Sequence, residues 1–228
     1  MIPRNLFQTH KSLKYVLSKP KLAEAVKSWQ KYGFDSKYFF YSDKMCETFM
    51  KKYYSGIIYD AYCKLPLAVM KADLWRYCVI YKYGGIYADI DTICHQNPNL
   101  FINECLLCIA PENNSHLCQW VFSAPPESPF LQSIIQLSVE RIHNSSEIKG
   151  EHSVHYFTGP GVFTEGIERL LRAKRQPTFK DKKKYFRYPD LDLIRVFNCD
   201  NFHKNIVSHL FAGQEEDGWC LERDNKLM

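Results

Sequence analysis

The sequence predicts an α/β fold: a single domain over residues 1–228, with a mixed, mostly parallel central sheet flanked by helices. Three observations carry this. Strand-like and helix-like segments alternate through the N-terminal part of the chain, the pattern of a parallel-rich sheet in a nucleotide-binding half-domain. The stretch Leu67–Tyr83 contains no Gly or Pro and is apolar on nearly every side, which reads as a buried helix. Gly84-Gly85 then stops that helix, and Ile86-Tyr87-Ala88 is a short apolar strand ending in two carboxylates, Asp89 and Asp91. Open α/β sheets bind ligands at such carboxyl ends.

Taken in order, Ile2–Gln8 reads as the first strand. Pro20–Tyr32 is an amphipathic helix, with Leu22, Ala25, Val26 and Trp29 on one face, Pro20 at its start and Gly33 past its end. Tyr38–Tyr41 is a second strand, and Ser42-Asp43 caps a helix running to Tyr53. Beyond the carboxylate pair, Cys105–Ala110 and Trp120–Ala124 read as strands. Ser128 opens a helix to Ile142, with Phe130, Ile134, Leu137 and Arg141 at helical spacing. Gly159-Pro160-Gly161 forces a turn before a helix over Val162–Arg172, whose first N–H groups would face an anion or hydroxyl. Lys174–Arg187 is strongly basic and reads as an exposed loop, and Leu193–Phe197 is a late strand.

Composition narrows the possibilities. Hydrophobic residues make up 46% of the 228, as in a globular protein. The net charge of +5 does not call for nucleic acid. No apolar run approaches the ~20 residues needed to span a bilayer, and the opening residues do not read as a signal peptide. The nine cysteines show no disulfide framework and are expected to be reduced thiols, so a cytoplasmic location is expected. Cys105-x-x-Cys108 has no second pair to complete a zinc site and reads as core.

Asp89-Ile90-Asp91 carries the chemistry. Residues two apart on a strand point the same way, and a turn at the strand end lets both carboxylates converge. Like charges that close are costly unless a cation neutralises them. Mn²⁺ and Mg²⁺ prefer carboxylate oxygens and leave positions open for substrate phosphates. A solvated pair of acids in a turn would look the same, but it leaves Asp73 and Arg76 unexplained. Charged residues are rarely buried without a partner. These two, one turn apart in an apolar helix, either pair with each other or serve a site.

Together these residues form a longer pattern. K-A-D-L-W-R-Y…Y-K-Y-G-G-I-Y-A-D-I-D-T, Lys71–Thr92, resembles the signature of glycosyltransferase family 32 and its relatives, R-A-D-x-x-R-Y…Y-x-x-G-G-I-Y-x-D-x-D, with Lys71 in place of the leading Arg. Further matches are weaker. I-P-R-N-L-F-Q-T-H resembles the family's opening I-P-K-x-x-H-Q-x-W, with Phe7 for His and His10 for Trp. A-P-P-E-S-P-F resembles A-x-P-x-x-P-F. The T-G-P run at 158–160 matches the family loop. His209 and Gly213 match the closing H-x-x-x-G-S-W, while Gln214 replaces Ser and Trp219 lies further on.

The resemblance implies a GT-A glycosyltransferase fold, a UDP- or GDP-sugar donor, a glycan or other hydroxyl acceptor, a bound Mn²⁺ or Mg²⁺, and retention of anomeric configuration. It assigns Asp91 as the principal metal ligand, Asp89 to the metal or the ribose, and His209 as a third contact to metal or diphosphate. Asp73 and Arg76 would hold donor hydroxyls. Phe7, Gln8, Thr9, Tyr87 and Gly159 would line the donor site. Asp89, Asp91 and Arg76 would act in the transfer itself. Haloacid-dehalogenase phosphatases also use D-x-D after a strand, but they want Thr or Val where this chain has Ile93. The alternative of another class is a catalytically silent nucleotide-sugar or glycan-binding module on the same fold.

Overall fold

Strand β1 (Asn5–Thr9) lies inside a six-stranded sheet, between β2 (Lys37–Tyr41) and β3 (Gly85–Ala88), and runs parallel to both. The structure is a computed structural model and describes residues 1–31, 37–112, 115–150, 152–173 and 194–211. Tyr32, Gly33, Asn113-Asn114, the basic stretch 174–187, and Gly213, Gln214 and Trp219 lie outside the described residues.

Each parallel step needs a helical crossover. Helices α1 (Leu13–Ser18) and α2 (Pro20–Ser28) connect β1 to β2. Helices α3 (Asp43–Tyr53), α4 (Ile57–Lys64) and α5 (Ala68–Tyr83) connect β2 to β3. Local chemistry sets their starts. The Ser12 and Ser42 hydroxyls accept hydrogen bonds from the Tyr15 and Met45 N–H groups, satisfying donors that a first turn leaves orphaned. Pro20 begins α2, where its missing N–H costs nothing.

Helix α5 ends at two glycines whose conformation the sheet requires. Gly84 has φ +63° and Gly85 φ +125°, values that side chains resist. A Cβ on Gly85 would stand 2.5 Å from the Asn5 carbonyl oxygen, so β3 could not lie beside β1 with any larger residue there. The glycine pair turns the helix directly into a central strand.

The rest of the sheet adds β6 (Val121–Ala124), antiparallel to β3, then β5 (Leu107–Ile109), antiparallel to β6, and β7 (Ile194–Val196), parallel to β5. The order is β2-β1-β3-β6-β5-β7. Its C-terminal edge gathers the ends of β1, β3 and β5 and the beginning of the reversed strand β6. A separate antiparallel pair joins β4 (Thr92–Cys94) to β8 (Val207–His209). Helices α6 (Pro129–Asn144), α7 (Ser153–Phe157) and α8 (Pro160–Ala173) complete the described layers.

Both faces of the sheet are buried, and the strand period divides them. Phe7, Tyr87, Phe122 and Ala124 enter one core with α5, α6 and α8. Leu6, Ile86, Ala88, Val121 and Cys108 enter a second with Trp29, Phe101 and Phe202. Among the helices, α5 is the most enclosed: Met70 and every residue from Asp73 to Ile80 are buried.

Several elements were not expected from the sequence. Helices α1, α4 and α7 and strands β4 and β8 are short. Tyr156 and Phe157 close α7, and α8 begins at Pro160 rather than Val162 because proline suits a first turn. β1 starts at Asn5, since Ile2 donates its N–H to the Asn103 carbonyl instead of joining the ladder. Trp120 lies outside β6. The described cysteines form no disulfide. No helix among the described residues is long and apolar enough to cross a membrane.

Candidate active site

The turn after β3 is held from three directions. The Asp89 N–H donates to the Trp120 carbonyl at 2.8 Å, and the Asp89 carbonyl accepts from the Thr92 hydroxyl at 2.6 Å and Gln8 Nε2 at 3.2 Å. Ile90 turns the other way and is buried with Val16, Leu22 and Val26 of α1 and α2. Burying a side chain of this size contributes about 2 kcal/mol, so the apolar residue between the two acids anchors the turn. The acids themselves remain partly open, with side chains 24% (Asp89) and 18% (Asp91) exposed.

The third member comes from the far end of the described chain. β8 places His209 opposite Thr92, and the Leu210 N–H donates to the Asp91 carbonyl at 2.9 Å. His209 Nε2 then lies 3.3 Å from Asp91 Oδ1 and 4.0 Å from Asp89 Oδ2. One ligand atom from each of Asp89, Asp91 and His209 falls within 4.8 Å of the others. Trp120 packs its ring 5.2 Å from the imidazole and fixes its orientation. Two carboxylate oxygens and one imidazole nitrogen, open to solvent on one side, fit a hard divalent ion that keeps several positions for phosphate or water.

Behind this group stands a buried charge network. Arg76 Nη2 lies 2.9 Å from Asp73 Oδ1 and 3.3 Å from Asp89 Oδ1. Its guanidinium sits over the Tyr87 ring at 4.6 Å, and the Tyr87 hydroxyl donates to Asp89. Asp73 is fully enclosed. Oδ1 also accepts from Gln119 Nε2 at 3.3 Å, and Oδ2 accepts from the Thr158 hydroxyl at 3.0 Å. Thr158 ties the 158–160 turn to the network, and Gly159 fits where a Cβ would meet the Val154 carbonyl at 3.0 Å.

The electrostatics follow from burial and charge. Burial pushes Asp73 up to about 6, although Arg76 pulls it down. Burial also raises Asp89, with Arg76 opposing and Asp91 adding to the rise. For His209, burial works against the charged form. The hydrogen bond to Asp91 and the nearby charges of Asp91, Asp89 and Glu112 outweigh it and raise the pKa above the ordinary 6.5.

The other predicted site residues fall in different places. Gln8 is buried at the β1 end, and its Oε1 has no partner among the described residues. The Thr9 hydroxyl donates to the Tyr41 carbonyl at 2.8 Å. Phe7 is 1% exposed and stacks on Phe39 with ring centroids 4.9 Å apart, so its ring is in the aromatic core and not on the open edge. His10 is buried and stacked on Tyr15. Sequence reasoning missed Gln119, Thr158, Trp120 and Glu112. The signals available were a glutamine just before a buried strand, for Gln119, and the T-G-P run, for Thr158.

Comparisons with known proteins bear on this geometry. Residues 19–107 match the family described as glycosyltransferase sugar-binding region containing DXD motif. That match covers less than half of the chain. Asp73, Arg76, Asp89 and Asp91 all fall inside it, whereas His209 lies beyond it. Among curated proteins, the chain is 26% identical to an initiation-specific alpha-1,6-mannosyltransferase of Candida albicans, over 84% of this chain and 60% of that one. It is 32% identical to the protein of the same name in Schizosaccharomyces pombe, over 53% of this chain and 36% of that one. The chain thus spans less than two thirds of the length of these relatives. Among solved structures, the PaToxG glycosyltransferase superposes with a TM-score of 0.56 at 15% identity, over 81% of this chain and 74% of that one. The fold is of the GT-A glycosyltransferase type.

Proposed function

We propose that the chain, acting as one GT-A domain, is a glycosyltransferase that uses Mn²⁺ or Mg²⁺. It would move a sugar from a UDP- or GDP-linked donor to a hydroxyl of a glycan or similar acceptor, with retention of configuration. The names of the curated relatives favour mannose as the sugar. The observation that carries the reading is the Asp89–Asp91–His209 triangle at the open sheet edge, backed by the buried Arg76.

Asp91 and His209 would hold the ion, and Asp89, fixed by Arg76 and Tyr87, would share it or face the ribose. A bound divalent ion supplies Lewis-acid stabilisation of the leaving diphosphate. Asp73 holds Arg76 in place through a contact with no solvent access, so its first role is to position the guanidinium. Arg76 Nε is buried and has no partner among the described residues, which leaves a donor for a sugar hydroxyl. Gln8 Oε1 and Thr9, at the β1 end, would line the nucleotide side. In a retaining transfer the leaving phosphate itself can take the acceptor's proton, so no side chain is assigned as a base.

The test is release of nucleoside diphosphate from GDP-mannose and from UDP-sugars, with Mn²⁺ and with a chelator. Metal-dependent release supports the reading. Binding of intact donor without release would make the chain a silent binding module, and absence of binding would overturn both.

A further inference from the structure

Directly after β5 the chain makes a tight hairpin that ends beside the site. Pro111 pairs with Leu117, the Glu112 N–H donates to the His116 carbonyl at 2.9 Å, and the Cys118 N–H donates to the Ala110 carbonyl at 2.9 Å. Two neighbours pin it. The Thr164 hydroxyl of α8 accepts from the Leu117 N–H at 2.9 Å, and His203 Nε2 lies 2.9 Å from the Pro111 carbonyl. The returning arm carries Gln119 into the Asp73 network and Trp120 against His209.

The outgoing arm holds Glu112, whose Oε2 is buried and has no hydrogen-bond partner among the described residues. The hairpin that carries Glu112 packs Trp120 against His209, and Glu112 lies close enough for its charge to bear on His209 and for the Asp89 charge to bear on it. An unpaired buried carboxylate oxygen is costly, and one kept in a native fold marks a place where a ligand, an ion or water can supply the missing donor.

The sheet order says what that ligand is. Along the open edge, β1 and β3 stand on one side of β6 and β5 on the other. A nucleotide over the β1 end and a diphosphate over the β3 turn direct the sugar toward β6 and β5, where Glu112 lies. Asp73 is fully buried and its oxygens already serve Arg76, Gln119 and Thr158, so it is poorly placed as the main hydroxyl acceptor there.

We infer that Glu112 accepts hydrogen bonds from hydroxyls of the donor sugar and so sets which sugar the site takes, an inference that rests on the transferase reading above. Calorimetric titration with Mn²⁺ present tests it, using GDP and GDP-mannose, or UDP and UDP-glucose if only that pair binds the wild type. Glu112→Gln keeps the volume but lacks the charged acceptor. It should bind the free nucleoside diphosphate as wild type does and the sugar nucleotide about tenfold or more weakly. Glu112→Asp, which keeps the charge but draws it back, should fall between. Equal weakening of both ligands would place Glu112 in the diphosphate environment and overturn the inference. Wild-type affinity for the sugar nucleotide would overturn it too, whether or not kcat fell. A wild-type protein that binds neither ligand would overturn the transferase reading itself.

Discussion

His209 Nε2 lies 3.3 Å from Asp91 Oδ1, joined across the antiparallel pairing of two strands of three residues each. Neither strand would persist alone, since a short two-stranded pair is marginal in water. The Trp29 indole N–H, which donates to the Thr92 carbonyl at 3.1 Å, and the buried Val207 and Cys94 hold the pair against the sheet. The C-terminal strand is therefore a structural part of the acid turn.

Removing the imidazole should weaken the metal site and leave the fold intact. His209→Ala should lower Mn²⁺ affinity by at least about tenfold, measured by calorimetry, since even supporting residues around metal sites cost that much. The pH dependence has a definite sign. The imidazole must lose its proton to ligate, and its pKa is raised above 6.5 in the metal-free protein, so Mn²⁺ affinity should fall as pH drops through that raised value. Stability of the metal-free protein runs the other way. The charged imidazole's contribution is complete below about 6.5 and fades as pH rises through the folded value. His209→Ala should flatten both profiles. An unchanged Mn²⁺ profile would remove His209 from the site.

Asp73 and Arg76 are bound to each other and to the metal group, so their substitution should act on two measurements together. Asp73→Ala strips Arg76 of one carboxylate and Thr158 and Gln119 of their acceptor. Breaking a buried pair in this way costs about 3 kcal/mol, seen as a lower melting temperature. Both Asp73→Ala and Arg76→Ala should also raise the donor Kd, Arg76→Ala more, because Arg76 reaches Asp89 directly. A large stability loss with unchanged donor affinity would make the pair purely structural.

The elements legible in the sequence are those with their own local signals. Helix α5 has an unbroken apolar surface and a glycine stop, α2 has its proline, α3 its serine cap, and β1 and β2 their apolar runs. The carboxylate pair and the Asp73–Arg76 pair stood out because charge was out of place among apolar residues. What could not be read depends on distant partners. β4 and β8 exist only through each other, and α4 starts at Gly56 without a side-chain cap. Gln119 and Trp120 reach the site because β6 runs antiparallel beside β3, a reversal that the local sequence does not encode.

The Asp91→Asn variant tests the central claim most directly, through Mn²⁺-dependent turnover of a sugar nucleotide measured beside the metal-free melting temperature. An amide oxygen is a poorer ligand, and the change removes like-charge repulsion between residues whose side chains share one small volume. Turnover should be lost, while the metal-free melting temperature should hold or rise. Retained turnover, or unfolding of the metal-free variant, would contradict the assignment of Asp91 as the principal metal ligand.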